Sequence, residues 1–249
     1  MALVTSVTSM TPPPCPATLG CDVVIPAISP PVRIGILLSG RGSNAEALIQ
    51  AHQAGQLPHS EIVLVLSNVA DAAGLTMAAQ HGIPTHCIAP CDYPSRDAAD
   101  AAMTEVLQAA DVSLVVLAGY NRILSAPLLD AFPNAILNIH PSLLPAYGGK
   151  GMVGQAVHTA VLTGAESFSG CTVHGVTAEV DAGPLLGQAV VPVLSNDTPE
   201  TLGARVLTQE HRLYTATLNA WVARAVAPHL DTPLDLPPWP YLTEPNLST

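Results

Sequence analysis

Short apolar runs, most of them separated by helix-forming stretches, constrain this chain more than any other feature. The runs fall at residues 32–38, 62–66, 112–117 and 135–139, a short segment at 85–88 is a further strand candidate, and segments 45–54, 71–80 and 95–109 have helical composition. Each run is too short and too uniformly apolar to alternate between a wet and a dry face, as expected for strands buried on both sides. A helix between two strands precludes a hairpin, so successive strands join through crossovers and lie parallel. Ser95 is placed to cap the 95–109 helix, with Ala98, Met103, Val106 and Leu107 on its apolar side.

After position 139 the rhythm changes. A Pro/Gly-rich loop at 141–151 leads to a helix near 155–162, and strands are expected at 171–177 and 185–193, with the turn Asp181-Ala182-Gly183-Pro184 between them. A last long helix should run to about residue 225, capped by Thr198 or Asp197, with Glu200 spaced for a capping box on Asp197. The expected fold is an open, twisted, mainly parallel α/β sheet with helices on both faces, of Rossmann-like type. Ligands of such sheets sit at the carboxyl ends of the strands. Segments 39–44, 118–124 and 138–149 converge on that edge.

Proline marks the limits of the unit. Of 24 prolines, seven lie in residues 1–31 and six in 228–249. The expected organisation is therefore a Pro/Thr-rich disordered extension (1–31), a folded domain (32–227) and a Pro-rich tail (228–249). Eight Lys+Arg against nineteen Asp+Glu give a net charge of −11. That charge speaks against a nucleic-acid partner, which needs clustered cations. No apolar run reaches the ~18–20 residues a membrane span requires. Five cysteines without a CxxC pair suit reduced thiols in a cytoplasmic protein and support no metal site.

Three segments can carry chemistry. Ser39-Gly40-Arg41-Gly42-Ser43-Asn44 joins the first strand to the first helix, where glycines and unpaired N–H groups suit a phosphate; a plain tight turn is the competing reading. In Asn138-Ile139-His140-Pro141, residues 138 and 140 share one side of a strand end. An amide that donates to an oxyanion would then stand beside an imidazole that exchanges protons near neutrality. Asp181 could fix the imidazole tautomer, or could simply form an Asx-turn. His174, alternating with Thr172, is a supporting or core residue.

Taken together, Asn138–Pro145, Asp181-x-Gly-Pro and the Gly-Arg-Gly-Ser-Asn loop resemble the folate-dependent formyltransferases. The resemblance runs from about Val32 to Val226 and points to the branch whose acceptor is glycinamide ribonucleotide. It implies direct transfer of formyl from 10-formyltetrahydrofolate, as co-substrate, to the amine of that acceptor in purine synthesis. It puts catalysis on Asn138, His140 and Asp181, with His174 in support. It puts the substrate on Gly42, Ser43, Asn44 and Glu210, and the folate on Arg96, Asn121, Arg122, Ile123 and Leu124, with 177–181 lining the same pocket. It implies no metal, and it leaves a homodimer open.

The chain departs from the family pattern at four positions. Asn121 stands where Met is frequent, Leu207 where Lys or Gln meets the phosphate, Val153 where Tyr is usual, and Gly175 where Phe is common. None touches the Asn–His–Asp set. A formyltetrahydrofolate deformylase would carry an N-terminal regulatory domain, for which 31 residues are few. A methionyl-tRNA formyltransferase would carry a C-terminal RNA-binding barrel, which 22 residues cannot build and which the negative charge does not suit. A non-catalytic folate- or nucleotide-binding protein would have no need of an intact Asn–His–Asp set.

Overall fold

The computed structural model describes residues 24–228. The expected disordered extension and Pro-rich tail fall, apart from residues 24–31 and 228, outside the described residues. Residues 24–31 lie against the domain: Ile25 and Ile28 pack on the core, and the Ile28 N–H donates to the Ala225 carbonyl.

Seven strands form one sheet. They are β1 (Val32–Leu38), β2 (Ser60–Ser67), β3 (Thr85–Cys87), β4 (Leu114–Leu117), β5 (Ile136–His140), β6 (Phe168–Gly175) and β7 (Leu185–Pro192). The order is β3-β2-β1-β4-β5-β6-β7, with the first five parallel and β6 and β7 each antiparallel to the strand before it. From β1 the chain moves outward to β2 and β3, then returns to β4 on the other side and moves outward to β5. Right-handed crossovers in opposite directions put helices on opposite faces. The helices are α1 (Ser43–Gln53), α2 (Ala73–Gln80), α3 (Arg96–Ala109), α4 (Ala126–Ala131), α5 (Gln155–Thr163) and α6 (Pro199–Val226). α1 packs against α2 and α6, α5 against α6, and α3 against α4.

β1 and β4 are buried almost throughout, consistent with central strands covered on both faces. α6, with 28 residues, crosses under the sheet and carries the fully buried Tyr214. The Tyr214 hydroxyl lies 3.0 Å from the carbonyls of both Leu117 and Leu137, at β4 and β5, so a phenol otherwise costly to bury is satisfied.

Some boundaries differ from expectation. α1 begins at Ser43 because Gly42 takes a left-handed conformation (φ 78°) that starts the helix two residues early. α4 carries a proline in its first turn and has six residues, too few to show a period. A 3-10 turn at Pro90–Asp92 is shorter still, with three residues. The expected capping box on Asp197 does not form. Thr198 caps α6, and its reciprocal partner is Thr201, because Pro199 takes the first helical position and shifts the frame by one. Asp197 lies outside the helix. It accepts the Leu194 N–H and the Thr201 hydroxyl and pairs with Arg205 through two contacts of 2.7 and 2.8 Å.

Candidate active site

β5 and β6 pair in antiparallel register, Asn138 opposite His174 and His140 opposite Thr172. Alternation puts all four side chains on one face at the carboxyl end of β5. The turn after β6 brings Asp181 over them in a left-handed conformation (φ 55°), which Asp tolerates better than most residues. Gly183 keeps that turn close to the sheet, since a Cβ there would collide with the Gly175 carbonyl.

The polar contacts order the cluster. His174 is buried, and its Nδ1 lies 2.9 Å from the Gly175 carbonyl, which fixes the proton on that nitrogen. Its Nε2 is then an acceptor and takes a hydrogen from the Asn138 amide at 3.0 Å. The Asn138 amide is oriented by this contact and keeps its second N–H free. Burial pushes the His174 imidazole below its usual range, against the opposing effects of the Gly175 carbonyl and Asp181, so it stays neutral as this role requires.

His140 Nε2 donates to the Tyr147 carbonyl at 2.9 Å, leaving Nδ1 as the nitrogen that exchanges protons. Nδ1 lies 3.7 Å from Asp181 Oδ2, while Asp181 Oδ1 lies 3.7 Å from His174 Nε2. The Gly149 N–H donates to Asp181 Oδ2 at 2.8 Å, so the loop after β5 holds the carboxylate in place. That loop is itself braced. The Thr172 hydroxyl donates to the Ser142 carbonyl at 2.6 Å and accepts the Leu144 N–H at 3.0 Å, while Gln188 reaches both Leu144 and Thr172. The sequence points to Pro141 and Pro145 as the stiffeners, but the Ser142–Thr172–Gln188 truss ties this loop to two strands. Thr172 was detectable by its alternation with His174; Gln188 and the Tyr147 carbonyl carry no such signal.

The second cluster lies at the start of α1. Gly42 packs so closely on α2 that a Cβ would stand 2.9 Å from Gly74 Cα. No side chain caps α1, so its first N–H groups remain available to an anion. The Asn44 side-chain N–H donates to Glu210 at 2.7 Å, both residues being buried, and Asn44 Oδ1 is buried without a partner. Burial raises the Glu210 carboxyl above its usual range, and the Asn44 bond works against that rise.

The third expected group follows β4. Asn121, Arg122 and Ile123 are exposed and Leu124 is buried. Ser125, just after them, donates from both its N–H and its hydroxyl to Asp100 of α3, at 2.6 and 2.7 Å. Arg96 is exposed at the N-terminus of the same helix, beside the capping Ser95. The Asn121 side chain meets Asn68 rather than an apolar wall. Direct contacts thus hold together two clusters, Asn138–His174–Asp181–His140 and Asn44–Glu210, and Arg96 and Arg122 stand outside both. Among the described residues no group of three or more His, Cys, Asp or Glu is placed to hold a metal ion, and no helix is long and apolar enough to cross a membrane.

The sequence profile of the formyl transferase family matches residues 32–218. The chain is 39% identical over 188 residues to the chloroplastic phosphoribosylglycinamide formyltransferase of Vigna unguiculata, covering 76% of this chain and 60% of that protein. It is 44% identical over 195 residues to the trifunctional purine biosynthetic protein adenosine-3 of Gallus gallus, covering 78% of this chain and 19% of the relative. The chain therefore spans less than two thirds of these relatives. Among solved structures, glycinamide ribonucleotide transformylase 1 from Symbiobacterium toebii superposes with a TM-score of 0.74 at 46% identity, covering 77% of this chain and 88% of that one. The phosphoribosylglycinamide formyltransferase from Brucella melitensis gives 0.72 at 44% identity, covering 79% and 97%.

Proposed function

Because the chain belongs to the formyl transferase family, we propose that it transfers the formyl group of 10-formyltetrahydrofolate to the amine of glycinamide ribonucleotide, and that residues 32–227 are the unit that does so. The observation that carries the reading is the convergence of Asn138, His140 and Asp181, with the Asn138 amide oriented by His174.

In this reading the phosphate of the acceptor sits on the N–H groups of Gly42, Ser43 and Asn44, and Glu210, held by Asn44, accepts hydrogen bonds from the same molecule. The folate lies against Asn121, Arg122, Ile123 and Leu124, with Arg96 at the rim. The amine attacks the formyl carbon, a C–N bond forms, and the carbonyl electron pair moves onto oxygen. The free N–H of Asn138 and the protonated Nδ1 of His140 donate to that oxyanion. The Asp181 carboxylate, 3.7 Å from Nδ1, attracts the proton held there. Collapse restores the C=O bond and breaks the bond to N10 of the folate. The proton lost by the amine reaches N10 through His140 and the Asp181 carboxylate. The reaction needs no oxidant or reductant.

We assign it to the cytoplasm, where Cys87, Cys91 and Cys171 would stay as the free thiols found here. The reading is tested by following tetrahydrofolate release from 10-formyltetrahydrofolate with and without glycinamide ribonucleotide. Release that depends on the amine is expected; release without it points to a deformylase, and none at all to a binding protein.

A further inference from the structure

Asn68 follows β2, is only 9% exposed, and belongs to neither the Asn138–His174–Asp181–His140 cluster nor the Asn44–Glu210 pair. It completes a closed ring of hydrogen bonds. The Ser39 hydroxyl donates to Asn68 Oδ1 at 2.5 Å, Asn68 Nδ2 donates to Asn121 Oδ1 at 3.2 Å, and the Asn121 N–H donates to the Ser39 oxygen at 2.9 Å. All three bonds run in the same sense round the ring, and the Ser39 hydroxyl and the Asn68 amide each accept one bond and donate the next, so polarisation passes through both. The Ser39 N–H also donates to the Gly119 carbonyl at 3.1 Å.

The position of the ring gives it a purpose. Ser39, Asn68 and Asn121 follow β1, β2 and β4, and the strand order reverses between β1 and β4, which opens the crevice where ligands of such sheets bind. Three residues past Ser39 stands Gly42, the first of the residues proposed to hold the phosphate, and one residue past Asn121 stands Arg122. The ring therefore bridges the floor of the crevice and ties the acceptor half of the site to the folate half.

We infer that Asn68 is a positioning residue: through Ser39 and Asn121 it sets the distance between the two bound substrates, and so the approach of the amine to the formyl carbon. It touches neither substrate. The inference rests on the proposed formyl transfer, and it separates binding from turnover. Each substrate on its own keeps its half-site when the ring is cut, whereas the reacting atoms lose alignment, and a misplacement of about 1 Å can cost about a hundredfold in rate.

The test compares the parent with Asn68→Ala, Asn121→Leu and the double variant, measuring kcat, the Kd of glycinamide ribonucleotide and of tetrahydrofolate separately by calorimetry, and the melting temperature. Asn68→Ala should lower kcat about tenfold or more while each Kd moves by less than about threefold. Asn121→Leu cuts one ring bond and should lose less. The double variant should be no slower than Asn68→Ala, since both changes break one connected unit. Unchanged kcat, a weaker folate Kd at unchanged kcat, or losses that multiply in the double variant would each overturn the inference. Should Asn68→Ala fail to fold, Ser39→Ala, which cuts two bonds of the ring and leaves the main-chain N–H groups in place, carries the same test. A parent without turnover would overturn the proposed function instead. In that case faster amide exchange at 119–124 in Asn121→Leu supports the ring as a clamp, and unchanged exchange overturns it.

Discussion

Replacing Asp181 by Asn removes one charge from the centre of the site and little else. Asn adopts the left-handed backbone that position 181 requires (φ 55°) as readily as Asp, and its carbonyl can still accept the Gly149 N–H. What disappears is the attraction between a carboxylate and a protonated His140 Nδ1 across 3.7 Å, with side-chain exposures of 14% and 5%. At an effective dielectric of about 20 that attraction amounts to about 4 kcal/mol. The protonated Nδ1 donates to the oxyanion only as charge develops on the formyl oxygen, so the loss falls on the transition state. It sets a ceiling of about three powers of ten in rate. The Asn dipole recovers part of this, and a fall in kcat of about a hundredfold to a thousandfold is expected. Steady-state kinetics with calorimetric binding would check it: kcat should fall, while the Kd of glycinamide ribonucleotide and the melting temperature stay close to the parent's. An Asp181→Asn variant within about tenfold of the parent kcat would refute the claim that this carboxylate stabilises a charged His140.

Other outcomes rest on the same geometry. Gly42→Ala sets a Cβ against Gly74 at a φ of 78°, and should lower stability by more than about 1 kcal/mol in a denaturant titration while weakening acceptor binding. His174→Ala leaves the Asn138 amide without its acceptor and should lower kcat about tenfold, with His174→Gln recovering part of the loss by offering a carbonyl. Acid should destabilise the fold. Burial lowers the His158, His174 and His211 imidazoles below their usual range, so from about pH 6.5 downward the unfolded chain takes up protons that the folded chain refuses. Stability is therefore retained above that range and lost below it. A melting temperature that does not fall between about pH 7.5 and 5.5, or a fall that His158→Gln leaves unaltered, would contradict this.

Most of the parallel half of the sheet was legible because β1, β2, β4 and β5 are apolar runs and three of the four connections carry helices of 8 to 14 residues. Thr198 was one of two caps the sequence offered, and the capping box was misread onto Asp197 because both residues are good caps and only the preference of Pro199 for the first helical turn decides between them. α4 escaped notice because six residues around a proline show no period. In the site, Asn138, His140 and Asp181 stood out by residue type and by resemblance, but what orients them did not. The antiparallel register that sets His174 opposite Asn138 depends on how β6 returns to β5, which no local pattern encodes. The Tyr147 carbonyl that fixes the His140 proton is backbone and has no signature in side-chain identity. Asn121 was weighed as a folate contact, and the partner that gives it another role, Asn68, lies 53 residues away in sequence.

The most direct test of formyl transfer by the Asn–His–Asp cluster is the mass of the acceptor after incubation with 10-formyltetrahydrofolate and the protein. With the parent chain, glycinamide ribonucleotide should gain one CO unit for each tetrahydrofolate formed, and a folded His140→Ala variant should yield almost none. No gain with the parent, or an equal gain with His140→Ala, would contradict that assignment.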